Sequence, residues 1–199
     1  MYTKLAIAIT DFFILHQVIP KEEKDNYAFG YEVMISESVY ILIMLIISAI
    51  TGSLIESLLF FIGFFVFRKL AGGYHASTYL KCHIIFALNQ IICLILLSLV
   101  PIFLYNYIFG GMSILLPIIT FISAPIDNEN KPFNTNEYQR YKKLSRIFII
   151  IFSFLVTGFA IFFDTLNSRY VFALCIGVLS ANISLLYAYI KRRGKHEKV

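Results

Sequence analysis

The run Leu58-Leu-Phe-Phe-Ile-Gly-Phe-Phe-Val-Phe67 decides the fold. Five of its ten residues are phenylalanine, and no helical face drawn through it is polar, so it needs an apolar environment on every side. The whole chain follows suit. Of its 199 residues 59% are hydrophobic and only 15% charged, whereas a soluble domain carries about a quarter charged residues. Twenty Phe and thirteen Tyr have nowhere to hide in one small aqueous core. The chain reads as an all-α integral membrane protein.

Toward the N-terminus, residues 30–67 are interrupted only by Glu32, Glu37, Glu56 and the Gly52-Ser53 pair. A spanning helix needs about 20 residues, so this stretch is too long for one span, and the Gly-Ser turn predicts two, at 30–51 and 54–68. Toward the C-terminus, residues 82–126 contain no Asp, Glu, Lys or Arg, which predicts spans at 81–100 and 105–124. After a polar segment at 125–146, two more spans are expected at 147–163 and 170–190. Residues 3–18 place Leu5, Ile9, Phe12, Phe13 and His16 at helical spacing, the pattern of an amphipathic interfacial helix that Pro20 ends. With Lys4, Asp11, His16 and Gln17 inside it, this segment lacks the apolar stretch of a cleavable signal peptide. Residues 1–199 are thus expected to form one membrane domain of six transmembrane helices.

Charge placement orients those spans. If the N-terminus, residues 68–81, residues 125–146 and the C-terminal tail share one side, that side holds sixteen of the seventeen Lys and Arg residues, all but Arg169. The positive-inside rule makes it the cytoplasmic side, with both termini there. The net charge of +5 is then explained by topology and by contact with anionic membrane lipids. No basic helix interleaved with aromatic residues asks for nucleic acid.

The island between the apolar runs is Arg68-Lys-Leu-Ala-Gly-Gly-Tyr-His-Ala-Ser-Thr-Tyr-Leu-Lys-Cys82. Cys93 and Cys175 sit within apolar runs, where a thiol behaves as a small hydrophobe, so Cys82 is the one cysteine in polar surroundings. A thiol becomes a nucleophile when an imidazole, a cation or a helix N-terminus favours its thiolate. Cys82 has His75, the Lys69 and Lys81 ammonium groups, and the first turn of its own span. On one unbroken helix His75 and Cys82 would lie about 10 Å apart, so the backbone must fold back between them; Gly72-Gly73 and Ala76-Ser-Thr-Tyr79 are suited to it. His83 would point about 100° away from Cys82 and is the poorer base. A metal site of His75, Cys82 and His83 lacks a fourth ligand and fits no usual spacing, and no cofactor is expected. Taken alone, a His–Cys pair is also compatible with an interfacial imidazole and a core thiol.

The Arg68–Cys82 segment closely resembles the active-site signature of the accessory gene regulator B (AgrB) family, and Ala124-Pro-Ile-Asp-Asn-Glu-Asn-Lys-Pro132 resembles that family's second recognisable stretch. The resemblance implies a multi-pass cysteine endopeptidase of the bacterial plasma membrane that acts in quorum sensing. Its substrate would be an AgrD-type precursor with an amphipathic leader, a central segment and an acidic tail. Cys82 would be the nucleophile and His75 the general base and acid, on the cytoplasmic side within a catalytic loop at 68–82. The product would be a thiolactone or lactone autoinducing peptide, and the enzyme a homodimer. Arg68, Lys69, Lys131, Arg140, Lys142 and Lys143 are candidates to hold the acidic tail, although topology and lipid contact explain them as well. Ser77 and Thr78 are candidates for an oxyanion site, or simply for a helix cap. Two rival readings are a small peptide exporter relying on Glu56, Asn89, Gln90 and Asn182, and a scaffold indifferent to Cys82.

Overall fold

The computed structural model describes residues 2–74, 76, 78–127, 133–162 and 168–196, which are almost wholly helical. The chain divides into two compact parts, residues 1–46 and 47–199. In the first, α1 (Tyr2–Leu15) is followed by the start of α2 (Lys24–Thr51). Gln17 adopts a left-handed conformation (φ 58°). Its N–H returns to the Ile14 carbonyl and that of Val18 to the Phe13 carbonyl, which satisfies the last carbonyls of α1. Asp11 pairs with Lys24 at 2.5 Å, the Thr3 hydroxyl donates to Glu32, and Phe13 stacks on Tyr31. Leu5, Phe12 and Leu15 remain exposed on α1.

The second part holds α3 (Leu54–Ala71), α4 (Tyr79–Leu99), α5 (Tyr105–Ser123), α6 (Thr135–Phe162) and α7 (Ser168–His196). Helix α7 is the central element: Phe172, Ala173, Cys175, Val178, Ala181 and Leu185 are all fully buried. It packs most extensively on α3, and also against α4 and α5. The α3–α7 contact is parallel, running from Glu56 with Arg169 at one end to Arg68 with Ser184 at the other. Gly63 and Gly177 permit this approach. A Cβ on Gly63 would lie 2.4 Å from the Leu174 carbonyl oxygen, and one on Gly177 2.2 Å from that of Phe60. Small residues play this part wherever helices associate without a hydrophobic driving force between them. Between α5 and α7 the Thr120 hydroxyl lies 2.9 Å from Asn182 Oδ1, while Asn182 Nδ2 donates to the Val178 carbonyl. That buried polar pair is internally satisfied.

Outside this core the helices are apolar. On α4, Ile84, Ile85, Leu88, Ile91, Ile92 and Ile95 are exposed along one side, an arrangement stable in lipid and not in water. Five helical segments are long and apolar enough to cross a membrane: Lys21–Thr51, Tyr79–Leu99, Ile102–Ser123, Thr135–Phe162 and Ser168–Arg193. The expected span at 54–68 corresponds to α3, whose 18 residues carry Glu56 in the first turn and Arg68 and Lys69 in the last. The polar segment at 125–146 is not all loop. Helix α6 starts at Thr135 because Asn134 Oδ1 accepts the Glu137 N–H (2.8 Å) and Glu137 Oε2 accepts the Asn134 N–H (3.1 Å). This is a reciprocal capping box.

Candidate active site

Much of the polar island is helical. Helix α3 continues to Ala71 and α4 begins at Tyr79, leaving residues 72–78 as the connection. Gly72 (φ +78°) forms a parallel bridge with Ile126, whose N–H donates to the Ala71 carbonyl at 3.0 Å. A Cβ at Gly72 would sit 1.8 Å from the Ile126 carbonyl oxygen, so only glycine fits. The two polar stretches singled out in the sequence, 68–82 and 124–132, therefore meet at Gly72 and Ile126.

Beyond Gly72 the chain is held against α7. The Tyr74 N–H points at the carbonyl and hydroxyl oxygens of Ser184, 3.1 Å from each. Arg68 closes the arrangement from α3, donating through Nη1 to Ser184 Oγ (2.8 Å) and through Nη2 to the Tyr74 carbonyl (2.5 Å). The Tyr74 ring meets Tyr187 edge-on at 4.8 Å, with Lys191 Nζ over its face at 4.8 Å. About two turns beyond Ser184 on α7, Arg192 pairs with the Asp127 carboxylate and donates to the Asp127 carbonyl at 3.2 Å. Asp127 Oδ2 also accepts the Phe133 N–H. Burial pushes the Asp127 carboxyl up, but the hydrogen bond and charge of Arg192 and the Phe133 amide outweigh it and hold the group below its ordinary value.

Cys82 lies in the first turn of α4. Thr78 caps that helix, its Oγ1 accepting the Lys81 N–H at 3.4 Å. The half-buried Cys82 thiol accepts the N–H of Ala76 at 3.2 Å. The backbone six residues upstream thus folds back onto the sulfur, which also sits at the positive end of a helix dipole. His83, next in sequence, is buried in the helical core (3% exposed).

His75, Ser77 and Lys131 lie outside the described residues. Of the other basic candidates, Arg68 is engaged with Ser184 and Tyr74. Lys69 lies over the ring of Phe65 at 4.4 Å and Lys142 over Tyr138 at 5.7 Å. Arg140 and Lys143 are exposed on the early turns of α6. The first three therefore divide into a brace, Arg68, and two charges resting on neighbouring rings, Lys69 and Lys142. Among the described residues no group of three His, Cys, Asp or Glu side chains could hold a metal ion. Of the four polar groups on which an exporter would rely, Glu56 is engaged with Arg169 (2.9 Å), Asn89 with the Ile85 carbonyl and Asn182 with Thr120, while Gln90 is buried on α4. Sequence reasoning missed Ser184, Tyr74, Asp127 and Arg192. Their signal is tertiary, since Ser184 touches residues more than 100 positions away.

Comparison with known proteins places this arrangement in context. The family described as Accessory gene regulator B matches residues 6–186. A protein of Listeria innocua serovar 6a described as AgrB-like is 25% identical over 181 residues, covering 88% of this chain and 86% of its own. No solved structure matches.

Proposed function

The chain belongs to the accessory gene regulator B family, and on that premise we propose that it is a membrane cysteine endopeptidase which cleaves and cyclises an AgrD-type precursor. Membership itself carries involvement in processing the peptide of that regulatory system and a link to such a precursor. The observation that carries the finer reading is the Ala76 N–H on Cys82 Sγ at the start of α4. Ala76 follows His75 directly in sequence, so this contact brings the backbone beside the proposed base up to the sulfur.

His75 takes the Cys82 proton, and the thiolate attacks the carbonyl joining the future ring to the tail. Collapse of the tetrahedral adduct breaks the C–N bond, and His75 returns the proton to the leaving amine. The tail departs, and the rest of the precursor remains as an acyl-thioester on Cys82. A thiol within the precursor then attacks that thioester, forming a thiolactone and freeing Cys82. Thioester exchange is nearly isoenergetic while hydrolysis is downhill, so water must be limited during the exchange. A precursor hydroxyl in place of the thiol would give a lactone.

We count α3 as a sixth span. It runs beside α7 from Glu56–Arg169 to Arg68–Ser184, its charges are confined to its end turns, and 18 residues of helix cover about 27 Å. Six crossings put both termini, the 72–78 connection and the Asp127 loop on the basic face, the cytoplasmic one. Helix α1 lies in the interface of that face, and the protein acts as a homodimer. Arg140, Lys142 and Lys143 remain candidates for holding the acidic tail, as do Lys131 and Lys69, while Ser77 remains one for the oxyanion.

Purified protein in lipid vesicles, incubated with a synthetic AgrD-type precursor, should release the C-terminal tail as a discrete mass. Cys82→Ala should abolish release and His75→Ala should lower it by about a thousandfold. Normal release by Cys82→Ala would overturn the proposal.

A further inference from the structure

We infer that Ser184 on α7 is a positioning residue for the nucleophile, holding the backbone at Tyr74 so that Ala76 reaches Cys82. This rests on the reading of Cys82 as the catalytic thiol. Ser184 lies in an apolar helix, 102 residues from Cys82, and touches neither the thiol nor any reacting atom. Its oxygens nevertheless receive both groups that define the path of the connection. The Tyr74 N–H lies 3.1 Å from Ser184 Oγ and 3.1 Å from its carbonyl, and Arg68 Nη1 donates to the same Oγ at 2.8 Å. Arg68 then spends its second arm on the Tyr74 carbonyl. Tyr74 is thus gripped at its N–H and its C=O, two residues before the amide that donates to Cys82 Sγ.

The packing leaves little room for another arrangement. A Cβ on Gly73 would lie 3.0 Å from Ser184 Oγ and 3.2 Å from Arg68 Nη1, so the chain runs flush against the serine. Loss of the hydroxyl leaves the Tyr74 N–H with the Ser184 carbonyl but removes the oxygen on which Arg68 Nη1 rests. A hydrogen bond from a charged donor matters more than a neutral one, and its loss frees the guanidinium to leave Tyr74 as well. The expected consequence is slower acylation of Cys82 by a precursor that binds as well as before. The contacts of Ser184 are with Tyr74 and with an Arg68 whose other arm is committed to the Tyr74 carbonyl, so its contribution belongs to kcat.

The test is steady-state tail release in lipid vesicles for wild type, Cys82→Ala, Ser184→Ala and, as a control on the same helix, Ser180→Ala. Ser184→Ala is expected to lower kcat by about tenfold or more with KM within about twofold, and Ser180→Ala to match wild type. Wild-type kcat in Ser184→Ala, or a loss confined to KM, overturns the inference. Should Ser184→Ala fail to yield folded protein, Ser184→Thr and Ser184→Val are compared, alike in shape but differing in the hydroxyl. A Thr variant about tenfold more active than Val supports the role, and equal activities refute it. Tail release by Cys82→Ala would instead strike at the catalytic assignment, so the two failures are separable.

Discussion

The parallel pair α3 and α7 is closed at its two ends in different ways. At one end Glu56 and Arg169, each in the first turn of its helix, form an ion pair at 2.9 Å. Glu56 is favoured there by the helix dipole, whereas Arg169 is at the unfavourable end of its own helix and gains most from the carboxylate. The interaction begins and ends in side chains. At the other end Arg68 reaches past Ser184 to the backbone of Tyr74, and Arg192 reaches the backbone as well as the carboxylate of Asp127. There the helices grip two loops as well as each other, and one of those loops delivers an amide to a thiol. An arginine can therefore serve helix association through an ion pair at one end and shape a reactive connection through hydrogen bonds at the other.

The largest effect that should break this contrast is Gly72→Ala. With a Cβ 1.8 Å from the Ile126 carbonyl oxygen and φ at +78°, the bridge between the two polar stretches cannot form without displacement. Destabilisation by about 3 kcal/mol or more is expected, with tail release falling by about a hundredfold. Thermal unfolding in detergent and the release assay together check this.

Asp127→Asn should act more gently. The folded carboxyl titrates below its ordinary value, so its stabilisation is complete above the unfolded value of about 3.9 and fades as pH falls through the lower folded one. The gap in thermal midpoint between wild type and Asp127→Asn should thus be widest near neutral pH and shrink below about pH 4. A gap that grows on acidification would contradict the pairing with Arg192. Glu56→Gln should have the smallest effect on chemistry. A midpoint lowered by a few degrees, with tail release within about twofold of wild type, is expected because that end touches no catalytic loop. Loss of activity there would erase the contrast between the ends.

How much of this was legible in the sequence varies with the range of the interaction. The apolar runs are local, and the α2–α3 break at Gly52 (φ +66°) and the helical character follow from them. Gly72-Gly73 and the fold-back toward Cys82 were also readable, because 1.5 Å of rise per residue forbids the alternative. The start of α6 was readable but unread, since Asn134-x-x-Glu137 is a capping signal hidden in a segment judged polar enough to be loop. The Ser184 and Arg192 contacts were not legible at all. A serine within an apolar helix looks like filler, and an arginine in a basic tail looks like topology, until the fold brings Tyr74 and Asp127 to them. Conversely, Arg68 was read as a candidate tail-binding cation, and its position at the base of the island was informative while its partners were not.

The central claim is that Cys82 carries the precursor covalently. Wild-type protein mixed with precursor, quenched in acid within seconds and weighed intact, should gain the mass of the precursor minus its tail. Hydroxylamine should remove that mass, as it does a thioester, and fragmentation should locate it on Cys82. Tail release with no such adduct, or an adduct carried by Cys93 or Cys175, would contradict the account.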